Sequence, residues 1–253
     1  MSELYFSESN AKLRDTVIFS IPAGHTCPFA MKCKSMADRV TGRVTDGPET
    51  EWRCFSASSE ARSPALRKHL WENYEALVDA YDKGGTQAVA DLIIANLPTN
   101  VPLVRIHVSG DFFSEQYFEA WCRVARAFPG KVVYREGQPY PEGTIFYAYT
   151  KALHLMLRDD IPENLVLTAS RGGRLDRLID KHELKEARVV FSQAEADELG
   201  YEIDHDDSLA WSQDKNFALL LHGTQPKGSD ASQALKKLKK AGWTGYNSKG
   251  KKS

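Results

Sequence analysis

The stretch VPLVRIHVSGDFF, residues 101–113, has the pattern that decides the fold class. Its residues alternate with the two-residue period of a β-strand that has one apolar face: Val104, Ile106 and Val108 lie on one face, and Arg105, His107 and Ser109 on the other. The segment SEQYFEAWCRVARAF, which starts at Ser114, then has the apolar spacing of a helix. A strand that leads into a helix is the repeating unit of a parallel α/β sheet.

The same unit recurs along the chain. Short runs of β-forming residues alternate with helical segments, and five further strands are predicted at residues 16–23, 144–150, 164–170, 187–192 and 217–223. Such alternation implies right-handed crossovers, with helices on the outer side of a parallel sheet. Six strands are too few for an eight-stranded barrel. The pattern therefore predicts an α/β fold that is either a partial parallel (β/α)6 barrel or an open doubly wound sheet.

Length and composition predict one large domain with a terminal tail. The chain has 253 residues, of which 42% are hydrophobic, and this is enough for one core without disulfides. We expect a single α/β domain over residues 1–228, a cysteine-bearing loop at about residues 24–63 and a lysine-rich C-terminal tail over residues 229–253. The net charge of -1 gives the whole chain no attraction to nucleic acid, but the tail combines lysines with Trp243 and Tyr246. The tail is either a solvated, frayed segment or an arm that contacts nucleic acid.

The four cysteines divide into two groups. No membrane span or signal segment is visible, which predicts a protein of the reducing cytoplasm of a bacterial host, where disulfides are rare. Cys122 lies on the apolar stripe of a predicted helix, as a core residue would. Cys27, Cys33 and Cys54 lie in polar segments, where thiolates favour a soft metal centre. Their spacing is compatible with an iron–sulfur cluster held by three cysteines, or with zinc if His25 is a fourth ligand.

Polar residues follow each predicted strand where it ends. In both candidate folds the carboxyl ends of parallel strands form the edge at which function gathers. Six strand ends with small, hydroxyl, charged or glycine residues therefore predict a site along this edge. The segments are AGHTC (residues 23–27), SGDFF (109–113), YTK (149–151), TASRGG (168–173), FSQ (191–193) and HG (222–223).

Several of these stretches resemble the gene product 88 family of phage and plasmid proteins. The matching segments include FSIPAGHTCPFAMKC, RIHVSGDFFSEQYFEAW, FYAYTKA, PENLVLTASRGGRLDRLID and ARVVFSQAEADELGYE, followed by LLLHGTQPKGS. In that family a third cysteine closely follows the second. Here the equivalent residue is Cys54, and an insertion over residues 34–53 separates it from Cys33. Because loop length costs stability only slowly, we expect the insertion to leave the cysteines together.

The layout is in turn similar to that of radical S-adenosylmethionine enzymes, which have a partial (β/α)6 barrel of the TIM-like type. This resemblance implies a [4Fe–4S] cluster on Cys27, Cys33 and Cys54 and S-adenosylmethionine as a further cofactor. It also implies a cofactor-binding set. Main-chain groups at Ser109, Gly110 and Asp111 would hold the methionine amino group, Thr168 and Ser170 its ribose or carboxylate, and Lys151 and Arg171 would neutralise a carboxylate or phosphate.

The resemblance predicts an enzyme that acts on a nucleic acid, a nucleotide or a small metabolite and receives electrons from a donor protein or small reductant. The candidate catalytic residues are Asp111, Lys151 and His107, and Arg105 is a further candidate for contact with the substrate. One alternative is a non-catalytic nucleic-acid-binding protein with a structural metal. Another is a metal-free hydrolase or nuclease, although no Gly-rich phosphate loop, G-x-S-x-G or H-E-x-x-H motif occurs.

Overall fold

The computed structural model describes residues 3–8, 13, 16–212 and 215–246. Its centre is an eight-stranded sheet with the strand order β1-β2-β5-β8-β9-β10-β12-β11. All pairs are parallel except that of β1 with β2. The strands of this sheet are β1 (Phe6–Glu8), β2 (Thr16–Phe19), β5 (Leu103–Ile106), β8 (Ile145–Thr150), β9 (Leu165–Ser170), β10 (Glu186–Val190), β11 (Glu202–Ile203) and β12 (Phe217–Leu220).

The six predicted strands are present and lie side by side in chain order, as β2, β5, β8, β9, β10 and β12. A doubly wound sheet requires a reversal of strand order, and these six strands have none. The α/β class with a mostly parallel sheet is confirmed. Four other strands form two hairpins, β3 (Ser35–Ala37) with β4 (Val44–Asp46), and β6 (Gly130–Arg135) with β7 (Gln138–Gly143).

One face of the sheet is covered by long helices. The α-helices are α1 (Phe55–Arg62), α2 (Pro64–Asn96), α3 (Glu115–Ala127), α4 (Arg177–His182), α5 (Gln193–Leu199), α6 (Ser208–Ser212) and α7 (Asp230–Lys240), and a 3-10 helix spans Leu153–Leu157. Gly84 and Gly85 have non-helical backbone angles and divide α2 into two helical segments. The helices α2 and α3 pack their apolar stripes on Val104, Ile106 and Phe146, and this forms the largest core cluster. Cys122 is fully buried there, as predicted.

The other face of the sheet carries a second, smaller core that also includes polar groups. Leu103, Ile145 and Tyr147 pack there on Leu209 and Trp211 of α6. Because side chains alternate along a strand, Arg105 and Tyr149 lie on this same face, nearer the carboxyl ends of the strands. This face is referred to below as the inner face. Among the residues that the structure describes, no helix is long and apolar enough to cross a lipid bilayer.

Candidate functional site

The loop after β2 places Cys27 at the carboxyl edge of the sheet. Gly24 has a positive φ of 71°, and its N–H donates a hydrogen bond of 3.2 Å to Cys27 Sγ. The Lys34 ammonium donates to the main-chain oxygens of Gly24 and Cys27, which fixes the turn from inside the loop. The conformation of the turn therefore directs one main-chain donor at the thiol.

The inserted residues between Cys33 and Cys54 fold back on themselves. The strands β3 and β4 pair as an antiparallel hairpin, and the Glu51 N–H donates to the Lys32 carbonyl at 2.8 Å. The Cys54 N–H then donates to Ser35 Oγ at 3.3 Å. The hairpin thus returns the chain to its starting point, and Cys54 lies beside the segment that carries Cys33.

The three predicted cysteine ligands are close enough to influence one another electrostatically. Burial raises the pKa of Cys27 well above its usual value, and the nearby Asp111, Cys54 and Cys33 raise it further. Burial and Cys33 raise the pKa of Cys54 to about 11. Cys27, Cys33 and Cys54 are each half-buried as whole residues, whereas Cys122 lies buried in the core.

Two main-chain donors lie at the Cys54 sulfur. Cys54 precedes the first turn of α1, and the backbone N–H groups of Ser56 and Ala57 act on its sulfur and oppose the rise of its pKa. With Gly24 at Cys27, two of the three thiols therefore have main-chain donors, which are the groups that stabilise cluster sulfurs. Within the described ranges, no three His, Cys, Asp or Glu side chains converge closely enough to hold a single metal ion. The thiolates of a cubane each bind a different iron, so they need not converge on one point.

A buried glutamate joins the cysteine loop to the second strand end. Glu60 of α1 accepts the Ala23 N–H at 2.8 Å and the Ser109 hydroxyl at 2.9 Å, both through Oε1. Its Oε2 is buried and has no hydrogen-bond partner in the part of the chain that the structure describes. The sequence assigned only main-chain groups at Ser109 to the cofactor, and the contact of its side chain with Glu60 was not predicted.

Glu60→Gln is expected to become more stable relative to wild type as pH rises. Burial raises the pKa of Glu60 above its ordinary 4.5, so the folded state holds the proton more tightly than the unfolded state. Below about pH 4.5 both states are protonated and the variants should differ least. As pH rises through the folded-state pKa, ionisation costs wild type stability that the neutral amide does not lose. Urea unfolding between about pH 4 and pH 8 measures this, and a pH-independent difference would contradict it.

Asp111 and Lys151 hold neighbouring strand ends together. The Asp111 carboxylate accepts the Thr150 hydroxyl at 2.6 Å, the Lys151 N–H at 2.9 Å and the Phe112 N–H at 2.7 Å. Burial raises the pKa of Asp111, and these three donors oppose the rise. The Lys151 ammonium extends in turn to the Ser170 carbonyl and hydroxyl and to the carbonyl of the next residue. The side chains of Asp111 and Lys151, both predicted to be catalytic, therefore bind protein groups at the carboxyl edge of the sheet.

Three other predicted residues also contact protein groups. Arg171 forms ion pairs with Asp180 and with Glu186. Thr168 is buried under α6, and its hydroxyl lies 3.5 Å from the Ala210 carbonyl oxygen. Gly110 has a φ of 92° and lies directly against the cysteine loop, where only a residue without a Cβ fits.

His107 does not lie on the inner face. Its φ of 68° breaks the strand alternation just after β5, and Nε2 lies 2.8 Å from the Tyr117 hydroxyl on the α3 side. Its ring also packs on Phe112. Burial and the nearby Arg105 lower its pKa to about 3, so the imidazole is neutral at ordinary pH.

Arg105 does lie on the inner face, in a polar cluster that the sequence analysis did not predict. Its guanidinium pairs with Asp207, and the Tyr147 and Tyr149 hydroxyls each donate to the same carboxylate at 3.3 Å. The guanidinium also lies over the Tyr149 ring, 4.8 Å from its centroid. Burial alone would lower the pKa of Arg105, but Asp207 more than offsets this, so the pKa is raised and the charge is kept.

A cavity of about 420 Å³ joins this polar cluster to the cysteines. Its lining includes Cys33 and Cys54 together with Arg105, Tyr149 and Asp207. The volume lies within the usual range for small-molecule sites in proteins. A larger cavity, of about 770 Å³, lies away from the strand ends, between β1 and α2, and contains none of the predicted site residues.

The lysine-rich segment covers part of the cavity. It begins with α7, which buries Ala231 and Leu235, while the Trp243 Nε1–H donates to the Leu221 carbonyl. The Tyr246 hydroxyl accepts the Leu220 N–H at 3.0 Å. The chain is thus packed against β12 as far as residue 246, and the Trp243 and Tyr246 side chains both bind main-chain groups of the protein. The predicted tail residues 247–253 lie outside the described residues.

A model of one protein family, described as gene product 88, matches residues 4–240. The chain belongs to the gene product 88 family. No curated protein and no solved structure gave a significant match. The matched range includes the cysteine-bearing loop, the strand ends and the whole of α7. The similarity to radical S-adenosylmethionine enzymes stays a prediction.

Proposed function

We propose that this protein binds an iron–sulfur cluster of the [4Fe–4S] type through Cys27, Cys33 and Cys54 and acts as a radical S-adenosylmethionine-like enzyme. The observation that carries the proposal is the return of Cys54 to Cys33 by the β3–β4 hairpin, at the carboxyl edge of the parallel sheet. The insertion separates Cys33 from Cys54 by twenty residues in sequence, yet Cys33 lies close enough to raise the pKa of Cys54. Cysteines that lie in polar loops without a shared role are not expected to be brought together in this way.

The strand order supports the fold that this function needs. Six parallel strands in unbroken chain order are the arrangement of a partial (β/α)6 barrel, in which the inner face would enclose the reaction. The cavity on that face is lined by Cys33 and Cys54 and also by Arg105 and Asp207. A cluster and a substrate would therefore share one enclosed space.

The residues of the site would have separate roles. The three thiolates would hold the cluster, and the main-chain donors at Gly24 and α1 would stabilise their charge. When bound, the cluster would supply one electron to the sulfonium of S-adenosylmethionine. The free Oε2 of Glu60, beside Ser109, is an acceptor that an ammonium group would satisfy. Asp111 and Lys151 would keep the strand ends in position around the cofactor.

Cys27→Ala is expected to lose almost all bound iron and labile sulfide, together with visible absorbance, because a cluster on three thiolates does not survive the loss of one. The measurement is anaerobic purification followed by metal and sulfide analysis and a visible spectrum. The matched control is Cys122→Ala, which removes the thiol that lies in the core. This control should keep the metal content of wild type.

Other outcomes decide between the alternatives. Iron retained by Cys27→Ala, or a wild-type protein with neither iron nor sulfide after reconstitution, would contradict the proposal. Stoichiometric zinc without sulfide would favour a non-catalytic nucleic-acid-binding protein with a structural metal. That second candidate is supported by the exposed lysines of α7, Lys236, Lys237, Lys239 and Lys240. If the cluster is present, cleavage of S-adenosylmethionine by the reduced protein is the next test.

A further inference from the structure

One wall of the 420 Å³ cavity is a connected series of aromatic rings. The Phe55 ring lies 4.6 Å from that of His222, and the His222 ring lies 4.8 Å from that of Tyr246. Trp243 continues the series at 5.0 Å from Tyr246. The series starts at the residue directly after Cys54, so a flat ligand against this wall would lie next to the proposed cluster.

The cavity lining also includes a polar group. Arg105, Tyr149 and Asp207 form it, and they carry donors and acceptors within one buried group. The Arg105 side chain keeps 13% of its surface exposed and is part of the cavity lining. A ligand with an acceptor on its edge would suit this cation.

The rim of the cavity is positively charged. Arg62, at the end of α1, and Lys239, on α7, both line the cavity and are exposed to solvent. Neither forms an ion pair within the described part of the chain, whereas the neighbouring Arg53 is paired with Asp46. Two unpaired cations at the mouth of an aromatic cavity favour an anionic group on the ligand.

We propose that this cavity binds a nucleoside phosphate, with the base against the aromatic wall, its edge toward Arg105 and the phosphate between Arg62 and Lys239. As the substrate class of the proposed enzyme, the inference rests on the proposed function, although binding itself requires no turnover. Aromatic rings stack on any base, and basic side chains at a rim bind phosphate oxygens. An uncharged apolar ligand would contact only the aromatic wall of the cavity. S-adenosylmethionine has no phosphate group that Arg62 and Lys239 at the rim could bind.

The test is calorimetric titration of the anaerobically purified full chain with the common nucleoside monophosphates, with adenosine and with inorganic phosphate. We expect saturable binding of at least one nucleoside monophosphate. Arg62→Ala with Lys239→Ala should weaken it by about tenfold or more, since each charged hydrogen bond is worth more than a neutral one. Lys181→Ala with Lys227→Ala removes the same charge from exposed residues that do not line the cavity, and should change affinity by less than about twofold.

A short single-stranded oligonucleotide identifies the source of the nucleotide. Tighter binding of the oligonucleotide with the same dependence on Arg62 and Lys239 would identify a nucleotide unit within a strand, and binding of the monophosphate alone would identify a free nucleotide. Equal weakening by the rim and control variants, or no saturable binding of any nucleoside phosphate, would overturn the inference. Loss of nucleotide binding with iron and sulfide retained would leave the proposed function intact, so the two failures are distinguishable.

Discussion

Asp207→Asn is expected to lower the free energy of unfolding by about 3–5 kcal/mol, the usual cost of removing one partner from a buried ion pair. Asp207 is buried and holds both the Arg105 guanidinium and two tyrosine hydroxyls. Asparagine tolerates the φ of 66° at this position, so the substitution removes charge without adding backbone strain. The remaining Arg105 cation would then lie among the Tyr147 and Tyr149 rings without its carboxylate. Urea unfolding at neutral pH measures the loss.

Two further variants test whether the loss of stability comes from the charge of Asp207 or from any substitution in this segment. Asp206→Asn changes the exposed neighbouring residue, whose side chain accepts the Ser208 N–H, a contact that asparagine keeps. This control should differ from wild type by less than about 0.5 kcal/mol. Adding Arg105→Met to Asp207→Asn removes the unpaired cation and should recover at least about 1 kcal/mol. A small effect of Asp207→Asn alone would show that another carboxylate, with Asp204 the nearest candidate, compensates the charge.

The alternation of apolar runs and helical segments was sufficient to predict the sheet, because the spacing of apolar residues changes at both ends of each central strand. The β6–β7 hairpin escaped prediction because Pro139 and Pro141 break the strand pattern. A two-stranded ribbon tolerates them, since a proline there need not donate to a second neighbour. The short strands β1 and β11, at the two edges of the sheet, carry too few residues to form a recognisable pattern.

The site was only partly predictable for a related reason. Cys27, Cys33 and Cys54 stood out because thiols in polar segments are rare, whereas Glu60 and Asp207 look like ordinary surface acids in sequence. Glu60 is buried against Ser109, which lies 49 residues away in sequence, and Asp207 against Arg105, which lies 102 residues away. No local sequence pattern encodes contacts between residues so far apart. The alternation predicted correctly that Arg105 lies on the inner face. It was wrong for His107, because the positive φ after β5 turns that side chain to the other side.

Gly110→Ala is expected to cost about 2–5 kcal/mol of stability and to lower iron content with it. The backbone here has a φ of 92°, and a Cβ would lie 2.4 Å from Ile21 Cγ1 and 2.7 Å from Thr26 Oγ1. The positive φ costs about 1–2 kcal/mol for a residue with a Cβ, and relieving the overlap costs a further 1–3 kcal/mol, roughly. Because Thr26 directly precedes Cys27, the displacement would move the first of the proposed cluster ligands away from the strand ends.

Gly137→Ala is the matched control, because it carries the backbone cost alone. Gly137 lies in the β6–β7 turn with a φ of 78°, and a Cβ there would meet nothing within 4 Å. Its loss of stability should be about 1–2 kcal/mol, with iron content unchanged. The difference between the two variants isolates the contact between the second strand end and the cysteine loop. If Gly110→Ala lost no more stability or iron than Gly137→Ala, the loop would accommodate the methyl group freely, and a fixed cysteine position at this strand end would be untenable.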